Sequence, residues 1–141
     1  MTAFIHEMTM DDYDEVYRLW QESEGVRLGE SDTRAAIEVY LRRNGGFCFV
    51  AAVDGCIKGA VLCGHDGRRG TMRHLAVQKA QRGRGIGRAL VDRCLSALSR
   101  EGITRCNIFV LSGNTEGSRF WEHLGWRGLE DDFRVMQMRT A

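Results

Sequence analysis

The stretch His74-Leu75-Ala76-Val77-Gln78-Lys79-Ala80-Gln81-Arg82-Gly83-Arg84-Gly85-Ile86-Gly87-Arg88-Ala89-Leu90 constrains this chain more than any other. It opens as a short apolar strand, passes through a basic glycine-rich turn and runs into a helix. The helix follows from spacing, because Ile86, Ala89, Leu90, Cys94, Ala97 and Leu98 recur on one helical face. The turn itself is poor helix-start chemistry. Each of its glycines forfeits up to about 1 kcal/mol of helix propensity. Its arginines oppose the helix macrodipole, which favours acidic groups at that end. An anion at the helix start removes both objections. Glycine lets backbone come close to it, free N–H groups point at it, and guanidinium groups neutralise it. The stretch therefore predicts a phosphate-bearing ligand.

With 141 residues, 43% hydrophobic and 28% charged, the chain suits one domain over 1–141 with a real core. A net charge of +1 speaks against a nucleic-acid binder or a membrane-surface protein. Cys48, Cys56, Cys63, Cys94 and Cys106 make an odd set without a CxxC pair, and read as reduced core residues. No histidine–carboxylate spacing suggests a metal site. No positively charged start leads into an apolar run, so neither a secretory signal nor a membrane span is expected, and a cytoplasmic location is. Charge is nevertheless uneven. Residues 1–33 carry Glu7, Asp11, Asp12, Asp14, Glu15, Glu22, Glu24, Glu30 and Asp32 against Arg18 and Arg27, a net −7. Residues 78–93 carry Lys79, Arg82, Arg84, Arg88 and Arg93 against Asp92, a net +4. Two solvated faces would account for this, as would a basic end and an acidic end serving different ligands.

Taken in order, Ala3 to Met8 can form a first strand, and Thr9 or Asp11 can cap a helix to about Glu24 with Tyr13, Val16, Leu19 and Trp20 on one face. Ser31 or Asp32 can cap a second helix carrying Ala36, Ile37, Tyr40 and Leu41, ended by Asn44-Gly45-Gly46. Phe47–Val53 and Cys56–Gly64 are apolar runs joined by Asp54-Gly55, a strong hairpin signal. Thr71–Val77 follows as a third antiparallel strand. After the long helix, Cys106–Leu111 reads as a buried strand. A helix then starts at Ser112-Gly113-Asn114, carries Phe120, Trp121 and Leu124, and stops at Gly125. The tail Trp126–Arg139 reads as one or two strands, Phe133–Met138 being the clearer. The predicted order is β-α-α-β-β-β-α-β-α-β, a mixed α/β sheet with helices on both faces.

Two phosphate templates fail. No GxxxxGK[ST] is present, and GxGxxG is broken at Arg88 when started from Gly83 and at Leu90 when started from Gly85. The preceding strand also belongs to an antiparallel meander. Instead, Arg82-x-x-Gly85-x-Gly87 directly after Leu75-Ala76-Val77 resembles the acetyl-CoA signature of the GNAT acyltransferase superfamily. Asn114-x-x-Gly117-x-x-Phe120-Trp121-Glu122-His123-x-Gly125-Trp126 resembles that family's Asn-x-x-Ala-x-x-Phe-Tyr-Glu-x-x-Gly-Phe. The element order agrees with the GNAT fold.

The resemblance implies an N-acetyltransferase that moves an acetyl group from acetyl-CoA to a primary amine in a ternary complex. Backbone N–H groups across Arg82, Gly83, Arg84, Gly85, Ile86, Gly87 and Arg88 would hold the CoA pyrophosphate. The pantetheine arm would pair like a strand with Leu75, Ala76 and Val77, and an N–H near Leu75 or Ala76 would stabilise the oxyanion. Asn114 would orient the pantetheine, and Trp121 would line the thiol end. Two family positions are changed. A carboxylate early on the strand before the glycine turn is here Thr71, and the tyrosine of the second motif is Trp121. His74, beside the oxyanion region, and Ser112, at the end of the next strand, are the substitute proton-transfer candidates. Glu22 or Glu24 could act through water, or simply solvate a helix end. His123 reads as a solvated helix residue, and His6 and His65 carry no pattern. The family's acceptor region would here carry Glu22, Glu24, Glu30 and Asp32 together with Glu130, Asp131 and Asp132, which points to a cationic amine. Two other readings stand beside this one: a CoA-binding module with little catalysis, and a nucleic-acid binder built on Arg82–Arg88. Monomer and homodimer are both open.

Overall fold

Five strands form one sheet in the computed structural model, which describes residues 3–141. They are β1 (Phe4–Glu7), β2 (Phe49–Val53), β3 (Cys56–His65), β4 (Gly70–Val77) and β5 (Cys106–Ile108), side by side in sequence order. All neighbours are antiparallel except β4 and β5, which run parallel. The expected meander is present. Asp54 and Gly55 make its first turn with φ of 53° and 79°, the mirror-image geometry that matches strand twist.

Helix α1 (Tyr13–Gln21) buries Tyr13, Val16, Leu19 and Trp20, the face expected from spacing. It starts late because Thr9 caps a separate 3₁₀ turn, Met10–Asp12, by exchanging backbone and side-chain hydrogen bonds with Asp12 and Asp11. Thr33, rather than Ser31 or Asp32, caps α2 (Arg34–Arg43), its hydroxyl accepting from the Ala36 N–H at 3.2 Å. Of the expected α2 face only Ile37 is fully buried, with Tyr40 and Leu41 partly covered. The long helix α3 (Ile86–Arg100) follows the basic turn, and α4 (Thr115–His123) follows β5.

Strand alternation sends side chains to two separate cores. Phe49, Ala51 and Val53 of β2, Val61 and Cys63 of β3 and Met72 of β4 meet Leu90, Cys94 and Leu98 of α3. Cys48 and Val50, with Ala60 and Leu62 of β3, meet Val16, Leu19 and Trp20 of α1 and Ile37 of α2. Met72, Leu90 and Leu98 are almost wholly enclosed, and burial of each contributes about 1.5–3 kcal/mol. One pairing breaks the alternation. Met72 and Ala76 are four residues apart, which in a regular strand means the same face, yet they belong to opposite cores. An extra residue in β4 reverses the parity. From Leu62↔Arg73 to Ala60↔Ala76, β3 advances two residues and β4 three.

Three expectations are corrected. β5 ends at Ile108 rather than Leu111, and Phe109 and Val110 turn outward, with Phe109 53% exposed. Among the described residues no strand follows α4. Phe133, Val135, Met136 and Met138 all stand 70% or more exposed, because alternation supplies a pattern but no partner edge. Cys56 is no core residue; it sits exposed at the start of β3, while Cys48, Cys63 and Cys94 are buried and Cys106 is intermediate. No helix among the described residues is long and apolar enough to cross a membrane.

Candidate active-site cleft

Strands β4 and β5 pair over only three positions, Gly70↔Cys106, Thr71↔Asn107 and Met72↔Ile108. Beyond Met72 the two chains part. A cleft of about 520 Å³ opens there, lined by Arg73–Val77 on one side and Ile108–Val110 on the other. The start of α3 lies at one end, and Asn114, Gly117, Phe120 and Trp121 form the α4 wall. The β5-facing edge of β4 from Arg73 to Val77 therefore has no strand beside it. An extended ligand could pair with it as a strand would.

The basic turn closes the end of this edge. Gly85 is the N-cap of α3 at φ 82°, a left-handed conformation that costs an L-residue about 1–2 kcal/mol. No side chain caps this helix, and its first turn holds no acidic residue. No backbone N–H from Gly83 to Arg88 finds an acceptor among the described residues. Such a run of donors, with arginines around it, has the chemistry to receive an anion. Gly87 has a different reason to be glycine. A Cβ there would stand 3.0 Å from Phe120 Cζ and 3.2 Å from Cε1, so its bare backbone is what lets α4 pack on α3. Arg82 is anchored twice, its Nε donating to the Val77 carbonyl at 3.0 Å and its guanidinium to Glu24 at 3.1 Å. A hydrogen bond from its own backbone N–H and then the Arg82 side chain hold the Glu24 carboxyl below the usual carboxylate range.

The extra residue of β4 falls at His74–Leu75, and His74 takes φ 54°. A histidine in this region carries strain, so the surroundings must fix it. They do so from three directions. Trp20 Nε1 donates to the His74 carbonyl at 3.2 Å, and the Trp20 and His74 rings meet edge-on at 5.0 Å. His74 Nε2 lies 2.7 Å from Asp32 Oδ1. Asp32 is itself 6% exposed. Its Oδ2 accepts from the Gly29 N–H at 2.9 Å, and its carbonyl accepts from the Tyr13 hydroxyl at 2.7 Å. Burial raises the Tyr13 phenol above its ordinary pKa, which keeps it a donor.

Of the residues expected to hold the donor, Leu75, Ala76, Val77, Arg82, Gly83, Gly85, Ile86, Gly87, Arg88, Asn114 and Trp121 all line this one cleft, as does His74. Arg84 lies outside the lining and donates to Gln81 at 3.3 Å. Ser112 is exposed and does not line the cleft. Glu24 lies at the cleft, whereas Glu22, Glu130 and Asp131 are exposed outside it. Thr71 is held between strands, and His65 accepts from the Gly67 N–H in its own turn. His123, read as merely solvated, is among the lining residues. Asn114 caps α4 by accepting from the Gly117 N–H at 3.0 Å, which leaves its amide NH₂ as a donor. Gly117 stands where the motif has alanine, and a Cβ there would require the Asn114 side chain to shift from its present position. Sequence reasoning placed Asp32 among the acids of the acceptor region and missed its pairing with His74. Its only signals were those of a helix cap and an acidic loop, and its partner lies 42 positions away.

The model of the acetyltransferase (GNAT) family matches residues 13–126. An acetyltransferase of Yersinia pestis is 34% identical over 116 residues, covering 82% of each chain. One from Sodalis glossinidius is 33% identical, covering 92% of this chain and 89% of its own. Among solved structures, Ard1 from Thermoplasma volcanium superposes with a TM-score of 0.79 at 25% identity, over 89% of this chain and 82% of that one. The PaiA N-acetyltransferase of Thermoplasma acidophilum, solved with coenzyme A, reaches 0.81 at 16% identity over 90% and 91%, a likeness of fold.

Proposed function

Because the chain belongs to the GNAT acetyltransferase family, we propose that it transfers an acetyl group from acetyl-CoA to a primary amine by direct attack in a ternary complex. One observation carries this reading. The free N–H groups of Gly83 and Gly85–Arg88 and the unpaired β4 edge border a single cleft, so one ligand with a phosphate end and an extended arm can use both. Acetyl-CoA supplies the activated thioester. The free N–H groups, with Arg82, Arg84 and Arg88, bind its pyrophosphate. Leu75–Val77 align the arm through backbone groups, and an N–H near Leu75 or Ala76 polarises the carbonyl. The Asn114 amide orients the pantetheine, and Trp121 lines the thiol end.

Proton transfer falls to His74, which lines the cleft, rather than to Ser112, which does not. Its imidazole accepts the proton released by the amine nitrogen as the C–N bond forms and the C–S bond breaks. Trp121 has no proton to give sulfur. That loss is tolerable, because a thiol pKa of about 8.5 makes an unprotonated thiolate only about 2 kcal/mol costly near neutral pH. A cationic acceptor is supported by the acids of the α1–α2 region and of the tail, Glu22, Glu130 and Asp131 among them, the tail reaching that region through Arg139 and Glu30. Glu24 lines the cleft but is paired with Arg82. A polyamine-like metabolite, an amino-sugar or a peptide amine has that chemistry.

The test is isotopic acetyl transfer from acetyl-CoA to an amine panel, run beside calorimetric CoA binding. Transfer to at least one amine, lost in His74→Gln with CoA binding kept, is the expected result. Tight CoA binding without turnover on any amine would instead make this a CoA-binding module.

A further inference from the structure

We propose that Asp32 is a positioning residue for the reaction: its carboxylate accepts the Nε2–H of His74 and so holds the imidazole in the tautomer whose Nδ1 is a free proton acceptor in the cleft. The inference rests on the role given to His74 above. Nε2 lies 2.7 Å from Asp32 Oδ1, and a carboxylate only accepts, so the hydrogen of this bond sits on nitrogen. Protonation at one ring nitrogen of a neutral imidazole leaves the other as the acceptor. Among the described residues Nδ1 has no hydrogen-bond partner, and none has a buried side-chain polar atom lacking one. Nδ1 is therefore not sealed from solvent, and His74 is one of the residues that line the cleft.

Asp32 is built for holding rather than for solvation. It is 6% exposed, and Gly29 fixes its second oxygen and Tyr13 its carbonyl. The backbone of His74 meanwhile sits in a strained left-handed conformation, anchored by Trp20. Together these contacts fix one orientation of the ring, as a positioned proton acceptor requires.

Asp32→Asn separates positioning from shape. The Asn carbonyl keeps the Gly29 N–H, which turns its NH₂ toward Nε2 and forces the proton onto Nδ1. Long-range ¹H–¹⁵N NMR on protein labelled at its four histidines reads the tautomer, with His74 assigned by its disappearance in His74→Gln. The proposal expects a protonated Nε2 and an unprotonated Nδ1 in the wild-type protein, reversed in Asp32→Asn. It also expects kcat to fall about 10²-fold or more in Asp32→Asn, with CoA affinity unchanged. A wild-type His74 protonated at Nδ1 overturns the proposal, and that measurement needs no variant to fold. A reversed tautomer with undiminished kcat overturns it too. Wild-type protein inactive on every amine would instead refute the acetyl-transfer reading, and the tautomer would still decide what Asp32 does.

Discussion

Gly85 and Gly87 stand two residues apart in the same turn and are glycine for unrelated reasons. At Gly85 the backbone needs a positive φ and a Cβ would meet nothing within 4 Å. At Gly87 the backbone is ordinary helix and the space is taken by Phe120. Gly85→Ala should therefore cost about 1–2 kcal/mol from backbone strain alone, whatever stands at position 120. Gly87→Leu should cost about 1–3 kcal/mol from overpacking, and Phe120→Ala in the same chain should recover part of it. Denaturant melts of the two singles and the double variant check this, and no recovery would mean that Phe120 is not the obstacle. His74 shows the converse case. Its residue type is plain in the sequence, yet its conformation is set by Trp20 and Asp32, both remote along the chain.

At the scale of elements, the sheet sorts the cysteines. Burial pushes the Cys48 thiol up to about 12, a hydrogen bond to the Cys63 backbone opposing the shift only in part. Because the neutral thiol is unreactive, iodoacetamide should label exposed Cys56 first in native protein and reach Cys48, Cys63 and Cys94 only on unfolding. Mass spectrometry over a labelling time course decides it, and early native labelling of Cys48 would contradict the burial of the residue leading into β2 in the α1 core. The tail after α4 is the element whose pattern found no partner. Glu130–Asp132 nevertheless lie in a turn closed by N–H donation from Asp132 and Phe133 to the Leu129 carbonyl, and Arg139 reaches Glu30 at 3.0 Å. The tail thus runs to the acidic α1–α2 region. If it helps receive a cationic amine, neutralising Glu130, Asp131 and Asp132 together should raise the acceptor KM and leave acetyl-CoA binding alone. An unchanged KM would remove this part of the acceptor reading.

For the whole molecule, the acidic N-terminal segment and the basic turn do not stand at opposite ends. They meet at the cleft, through Glu24 with Arg82. Glu24 holds a guanidinium that a phosphate would otherwise claim. Its lowered pKa means the pairing is intact above the ordinary carboxylate range and is lost as pH falls through the lowered value. Both side chains are more than a third exposed, so the effect on stability is small. The effect on binding should be visible. Glu24→Gln should tighten CoA up to about fivefold at low salt, as an exposed pair of about 1 kcal/mol allows, and the gain should shrink as salt rises. Calorimetry at two ionic strengths tests it, and weaker CoA binding in Glu24→Gln would show that Glu24 orients Arg82 rather than competing for it.

The sequence by itself determined the order of elements as far as α4, the two-faced sheet, the antiparallel meander and the basic turn at the start of α3. Each is written in local terms: side-chain period, turn residues, and glycines and arginines at a helix start. The Asn114 segment was legible for the same reason, since a helix cap and its first turn are neighbours in the chain. Only the tertiary structure decided that β5 leaves β4 after Met72, that β4 carries an extra residue at His74, and that Asp32 reaches that histidine. Those features depend on contacts between distant residues, and no local period records them. Gly87 marks the boundary between the two, its place read from the motif and its reason supplied by Phe120 across the fold.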